Sequence, residues 1–146
     1  MLFTARTAIA ADPAAVWRVY ADVAGWPGWT PTVTAVERLD PGPLRVGCRT
    51  RVRQPRLPVA VWEVTELVEG ESFTWTARGP GLLTVAAHRV GAAPGGGTAV
   101  ENALEQRGPL GPLAGRLWRG LTQRYLEREL AGLRRHCEAP PPPDSR

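Results

Sequence analysis

Lysine is absent from this chain. All eighteen basic residues are arginine, which excludes Schiff-base catalysis and Walker-type phosphate binding, because both need an ε-amino group. Cysteine is scarce: Cys48 and Cys137 stand 89 positions apart, with no CxxC pair and no histidine at zinc-ligand spacing. The two thiols are therefore read as structural and free, and no metal site is expected. Long apolar runs are missing too, since no window reaches the eighteen or so residues of a membrane span. The first residues, MLFTARTAIAA, have no basic leading segment and are broken by threonine and Arg6. They read as a strand rather than a signal peptide, which makes the cytoplasm the expected location. There is no Ser/His/Asp order, no HExxH, no carboxylate pair at meaningful spacing and no glycine-rich loop opening a helix, so no cofactor is expected.

What is abundant is alanine, glycine, proline and arginine, a set that GC-rich codons favour and that accounts for the arginines more economically than phosphate binding does. The net charge is +4 over 146 residues, enough chain for one domain with its own core. The most telling segment runs from Asp12 to Thr30. Asp12–Pro13 predicts a helix start: the carboxylate accepts orphan N–H groups, and the proline needs no partner. Val16, Trp17 and Tyr20 then make an apolar stripe of about two turns. Gly25, Pro27 and Gly28 interrupt it. Trp26 and Trp29 are held at the break, where two indoles are expected to roof something apolar.

Strand signals fill the middle of the chain. Leu2–Ala10 alternates, with Phe3, Ala5, Thr7 and Ile9 on one face. Thr32–Leu39 reads as a strand. Leu44–Gln54 carries a ladder of Arg49, Arg51 and Arg53 against Cys48, Thr50 and Val52, and Pro55 and Pro58 mark it as a sheet edge or strand end. Val59–Val68, Ser72–Arg78, Leu82–Val90 and Thr98–Gln106 complete an antiparallel meander with short turns. Strand parity points Trp62, Val64, Phe73, Trp75, Thr84, Ala86, His88, Val90, Val100, Asn102 and Leu104 inward. From Leu110 to Cys137 the period turns helical, predicting one helix about 40 Å long. Leu110, Leu113, Ala114, Leu117, Leu121 and Tyr125 share one face, while Leu126, Leu130, Leu133 and Cys137 lie on another, rotated by roughly 140°. The two halves are expected to bury against different surroundings. Residues 139–146, with four consecutive prolines, are expected to form a disordered tail.

The residues DPAAVW at Asp12–Trp17, D-x-x-x-W-P-x-W at Asp22–Trp29, WEVTE at Trp62–Glu66, GGGT at Gly95–Thr98 and GPLGPL at Gly108–Leu113 carry a family likeness. In this order of elements the sequence resembles the START-like, helix-grip (SRPBCC) superfamily, and within it the polyketide cyclase/dehydrase and lipid-transport group. The resemblance covers residues 1–138. It implies an α+β helix-grip fold: a curved antiparallel seven-stranded sheet around a long C-terminal helix, with two short helices after the first strand and an apolar cavity between sheet and helix. It is specific for fold rather than activity, because its members include cyclases, aromatases, lipid carriers, ligand sensors and Hsp90-activator-like domains.

The function this implies is binding of a hydrophobic small molecule (lipid, isoprenoid or polyketide-like) in that cavity. The alternative is a polyketide cyclase/aromatase-type enzyme using the same cavity. A further alternative is a protein–protein module in which the rotated second half of the long helix makes a homodimer. Candidate ligand-binding residues are Trp26, Trp29, Trp62, Trp75, His88, Asn102, Leu117, Leu121 and Tyr125. Flat indoles suit conjugated ligands, but each aromatic also reads simply as core. His88 is the best catalytic candidate, as a general acid or base. Its other reading is a buried imidazole bonded to Asn102 or to a backbone carbonyl. Asn102 can orient a ligand carbonyl. Tyr125 and Arg124 either supply a polar handle at the cavity mouth or reach solvent, and His136 sits at a fraying helix end. Arg45, Arg49, Arg51, Arg53 and Arg56 form a basic cluster, but acidic residues nearly balance it and no aromatics interleave. Nucleic acid is therefore not an expected partner.

Overall fold

The computed structural model describes residues 1–140. Seven strands form one antiparallel sheet: β1 (Leu2–Ile9), β2 (Ala35–Arg38), β3 (Arg49–Arg53), β4 (Ala60–Val68), β5 (Ser72–Gly79), β6 (Leu82–Ala92) and β7 (Thr98–Arg107). Their order, β1-β7-β6-β5-β4-β3-β2, is a meander from β2 to β7, and β1 closes onto β7. Leu2 lies opposite Glu105 and Ile9 opposite Thr98. The alternation read from sequence sets the two faces: Arg49, Arg51 and Arg53 are exposed while Thr50 and Val52 are buried. β2, shorter than expected, is the edge, and β3 is one strand in. Pro55 and Pro58 fall in the β3–β4 loop, beyond the last paired residue Arg53, so they remove no ladder hydrogen bond. An irregularity between Val64 and Glu66 re-phases β4, so that Leu67 follows Trp62 and Val64 inward and lies opposite Phe73.

Two short helices follow β1: α1 (Pro13–Ala21) and a 3₁₀ turn at Val23–Gly28. Asp12 takes the N-cap position with Pro13 behind it, but its side chain makes no capping bond. Its backbone carbonyl instead accepts from the N–H groups of Ala15 and Val16. The expected single C-terminal helix is two: α2 (Gly111–Leu117) and α3 (Arg119–Glu138), jointed at Trp118. The apolar stripes also exchange roles. α2 lies against the end of β7 through Gly111, Ala114 and Gly115, because a Cβ at Gly111 would come within 2.8 Å of the Gln106 carbonyl and one at Gly115 within 2.7 Å of Met1 Sδ. That close approach turns Leu113 and Leu117 outward, 55% and 68% exposed. The stripe proposed for a dimer, Leu126, Leu130 and Leu133, is instead the part of α3 that the sheet grips. The core lies between the inner sheet face, α1 and α3, around Tyr20, Phe73, Ile9, Leu130 and Leu133. No helix among the described residues is long and apolar enough to cross a membrane. The expected Pro-rich tail lies, from residue 141 on, outside the described residues.

Candidate functional site

A cavity of about 70 Å³ lies between the inner sheet face and α3. Its apolar wall is Trp26, Trp62 and Trp75, brought together from the 3₁₀ turn, β4 and β5. Trp62 and Trp75 stack with centroids 5.5 Å apart, and Trp26 meets Trp75 at 5.3 Å. The indoles occupy most of the hollow that the curved sheet leaves. The remaining space has room for a few waters, short of the roughly 300–1,000 Å³ of pockets that enclose drug-sized ligands.

The far end of the cavity is polar. His88, on β6, stacks on Phe73 at 4.1 Å and is boxed by Tyr20 and Trp75. Its Nδ1 lies 3.1 Å from the Phe73 carbonyl. A carbonyl only accepts, so Nδ1 carries the proton and Nε2 is left as a lone-pair acceptor. Burial drives the imidazole down to about 4, with the bond to Phe73 opposing. His88 is thus neutral near pH 7 and a weak base, and of the two readings of this residue the geometry matches the carbonyl-bonded imidazole.

Beside it stands a network of Tyr20, Asn102 and Glu129. The Tyr20 hydroxyl donates to Glu129 Oε2 at 2.6 Å, and Asn102 Nδ2 donates to the same oxygen at 2.8 Å and to the Leu126 carbonyl at 3.3 Å. These two acceptors fix the Asn102 amide, so that its Oδ1 is left without a partner. Burial pushes the Glu129 carboxyl above the ordinary glutamate value, with the bonds from Tyr20 and Asn102 pulling it back. Burial, and then the Glu129 charge, raise the Tyr20 phenol well above its usual range, so it stays a donor. Because Oε2 accepts both bonds, a proton taken up by Glu129 belongs on Oε1.

At the mouth the Tyr125 hydroxyl donates to the Pro55 carbonyl, tying α3 to the β3–β4 loop. Outside this bridge is a second depression of about 430 Å³, which shares Thr32 and Tyr125 with the inner cavity. Arg56, Arg124 and Arg128 line it together with Leu121. The basic cluster read from sequence therefore divides. Arg49 and Arg51 pair with Asp40 and Glu37 on the outer sheet face, Arg45 bonds the carbonyls of Pro41 and Pro43, and Arg56 turns to the mouth.

Of the residues singled out in the sequence, Trp26, Trp62, Trp75, His88, Asn102 and Tyr125 meet at the inner cavity, and Leu121 lines the outer depression. Leu117 is turned to solvent by the phase of α2 and lines neither. Trp26 and Trp29 are packed into the core: Trp26 donates from Nε1 to the Tyr20 carbonyl at 2.9 Å, and Trp29 is buried behind it, 5.6 Å away. Tyr125 and the β3–β4 loop bound the mouth. Sequence reasoning missed Glu129 and the role of Tyr20. Glu129 falls three residues after Leu126 and four before Leu133, and an acidic residue inside an apolar stripe is the signal that finds it.

Known proteins share the fold that holds this site. A family described as polyketide cyclase / dehydrase and lipid transport matches residues 2–138. Among curated proteins, none matches the sequence significantly. A hypothetical protein of Helicobacter pylori superposes with a TM-score of 0.81 at 13% identity, over 94% of this chain and 88% of its own. A START superfamily protein of Mycobacterium smegmatis gives 0.70 at 16%, over 92% and 97%. The di-domain ARO/CYC protein BexL of the BE-7585A biosynthetic pathway gives 0.73 at 18% identity, over 97% of this chain and 51% of that one. At these identities the likeness concerns the fold.

Proposed function

Because the chain belongs to the polyketide cyclase / dehydrase and lipid transport family, we propose that it binds a hydrophobic small molecule (lipid, isoprenoid or polyketide-like) between the sheet and α3. One observation carries this reading. An indole-walled cavity ends in hydrogen-bonding groups with unspent capacity, the Asn102 carbonyl oxygen and the His88 Nε2 lone pair. A ligand whose apolar body lies on Trp62 and Trp75 and whose hydroxyl donates to Asn102 Oδ1 uses both halves of the site. The cavity as it stands is too small for such a body, so on this reading the Tyr125–Pro55 bridge parts and the inner and outer spaces join.

The test is native mass spectrometry of the purified protein, followed by titration of its tryptophan fluorescence with a flat apolar alcohol. Quenching that saturates, and that Trp75→Leu weakens about tenfold or more (one lost aromatic stack, with the rest of the site intact), supports the reading. Absence of saturable binding for a series of such ligands, with no co-purified molecule, overturns it.

Catalysis of a polyketide cyclisation is a second reading, favoured by one feature. Glu129, not His88, has the environment of a usable base, because burial raises its carboxyl while it lowers the imidazole. Such a reaction needs a base for an α-proton and a donor for the enolate oxygen. Glu129 lines the inner cavity as the base, and the Tyr125 hydroxyl, which lines it too and is freed when its bridge to Pro55 parts, is the donor. Glu129→Gln then abolishes turnover of a poly-β-ketone while leaving its binding within a few fold. Turnover that survives the substitution removes this reading.

A further inference from the structure

The outer depression at the cavity mouth has a charge pattern that binding of an apolar body does not use. It is lined by Arg56, Arg124 and Arg128 and by no acidic residue. None of the three is among the ion pairs of the described residues, whereas Arg49 and Arg51 on the outer face of β3 each hold a carboxylate. Arg124 and Arg128 are four apart on α3, so their charges stand one helical turn from each other and repel. Arg56 faces them from the β3–β4 loop with φ at 66°, a left-handed conformation disfavoured for any residue with a Cβ. Two uncompensated repulsive or strained features converge on one concavity, and the same concavity shares Thr32 and Tyr125 with the indole-walled cavity.

We infer that this vestibule binds the anionic head group, a carboxylate or phosphate, of an amphipathic ligand whose apolar body passes Tyr125 into the inner cavity. Guanidinium groups suit both anions, because each presents two parallel N–H donors to a pair of oxygens. A bound anion also relieves the mutual repulsion of Arg124 and Arg128. The inference rests on the cavity-binding reading and adds to it the chemistry of the ligand's polar end. The position of the charge at the mouth rather than in the interior follows from solvation. A head group that stays at the rim keeps part of its water while its tail is buried, so the full cost of burying a charge is avoided.

Calorimetric titration of the full chain with four probes tests it: decanol, decanoate, decyl phosphate and inorganic phosphate. The expected result is that the two anionic amphiphiles bind about tenfold or more tighter than decanol, with an advantage that shrinks as salt is raised. The double variant Arg124→Gln/Arg128→Gln removes that advantage and leaves decanol binding unchanged. Arg56→Gly provides a control on folding, because it relieves the backbone at φ 66°. It is expected to raise thermal stability while lowering the preference for the anion. Decanol and decanoate binding equally would overturn the vestibule while leaving the cavity reading standing. Inorganic phosphate binding as tightly as decyl phosphate would also overturn it, as a site for free anions. Failure of all three amphiphiles to bind overturns the vestibule and leaves the cavity reading to the titration with flat alcohols.

Discussion

His88 and Glu129 occupy one polar corner yet act on stability with opposite sign. The folded protein holds the His88 imidazole at about 4, below its ordinary 6.5. Between those values the unfolded chain binds a proton that the folded chain refuses. The stability contributed by the neutral ring is therefore complete above pH 6.5 and is lost as pH falls towards 4, to a total of roughly 3 kcal/mol. The Glu129 carboxyl is raised, so its contribution is complete below the ordinary glutamate value and is lost as pH climbs through the raised one. Urea unfolding across this range should show an acid limb that His88→Gln flattens and a decline on the alkaline side that Glu129→Gln flattens. Identical acid limbs in wild type and His88→Gln would contradict the burial of this ring. At this scale much of the site was legible: strand parity alone turned His88, Asn102, Trp62 and Trp75 to one face, because period-two alternation is strict. Glu129 was not legible in the same way. A charged residue on a helix is read as solvated unless its neighbours at three and four positions are checked.

The two halves of the C-terminal segment show where element-level reasoning stops. Periodicity found both apolar stripes but not which one the sheet would hold. The choice is made by close approach rather than hydrophobicity. Gly111, Ala114 and Gly115 let α2 lie flush on β7, and Gly132 lets α3 come against the Trp29 carbonyl, where any Cβ would collide. No hydropathy pattern records a fit of that kind. The outcome can be checked with two substitutions of similar size. Leu130→Ala should cost about 2–5 kcal/mol, since a side chain at the centre of the grip is removed. Leu117→Gln should stay within about 0.5 kcal/mol, since the leucine it replaces is turned to solvent. Chemical denaturation of the two variants reads the helix phase directly, and a large loss for Leu117→Gln would restore the single-helix register.

Across the whole molecule the meander and the closing β1–β7 pair build a rigid trough, and the parts that can open it are few. β3 to β7 are joined strand to strand by antiparallel ladders, broken only at the Val64–Glu66 irregularity among the described residues, and α3 is fixed by Leu126, Leu130 and Leu133. The β3–β4 loop, by contrast, spans Gln54 to Val59 without strand partners, and its tie to α3 at the mouth is the hydrogen bond from Tyr125 to the Pro55 carbonyl. A solvent-accessible bond of this type is worth about 1 kcal/mol net. Removing it shifts a closed–open equilibrium roughly fivefold towards the open form. Tyr125→Phe keeps the ring and its packing while deleting the donor, so it isolates the bond. Stopped-flow mixing with a fluorescent apolar probe should then show an association rate about fivefold higher, with little change in global stability. Hydrogen exchange should accelerate at loop residues Gln54–Val59 and not in β4 or β5. If the association rate is unchanged while the loop exchanges faster, the bridge closes the loop but not the route to the cavity. Entry then has to be sought at another edge of the trough.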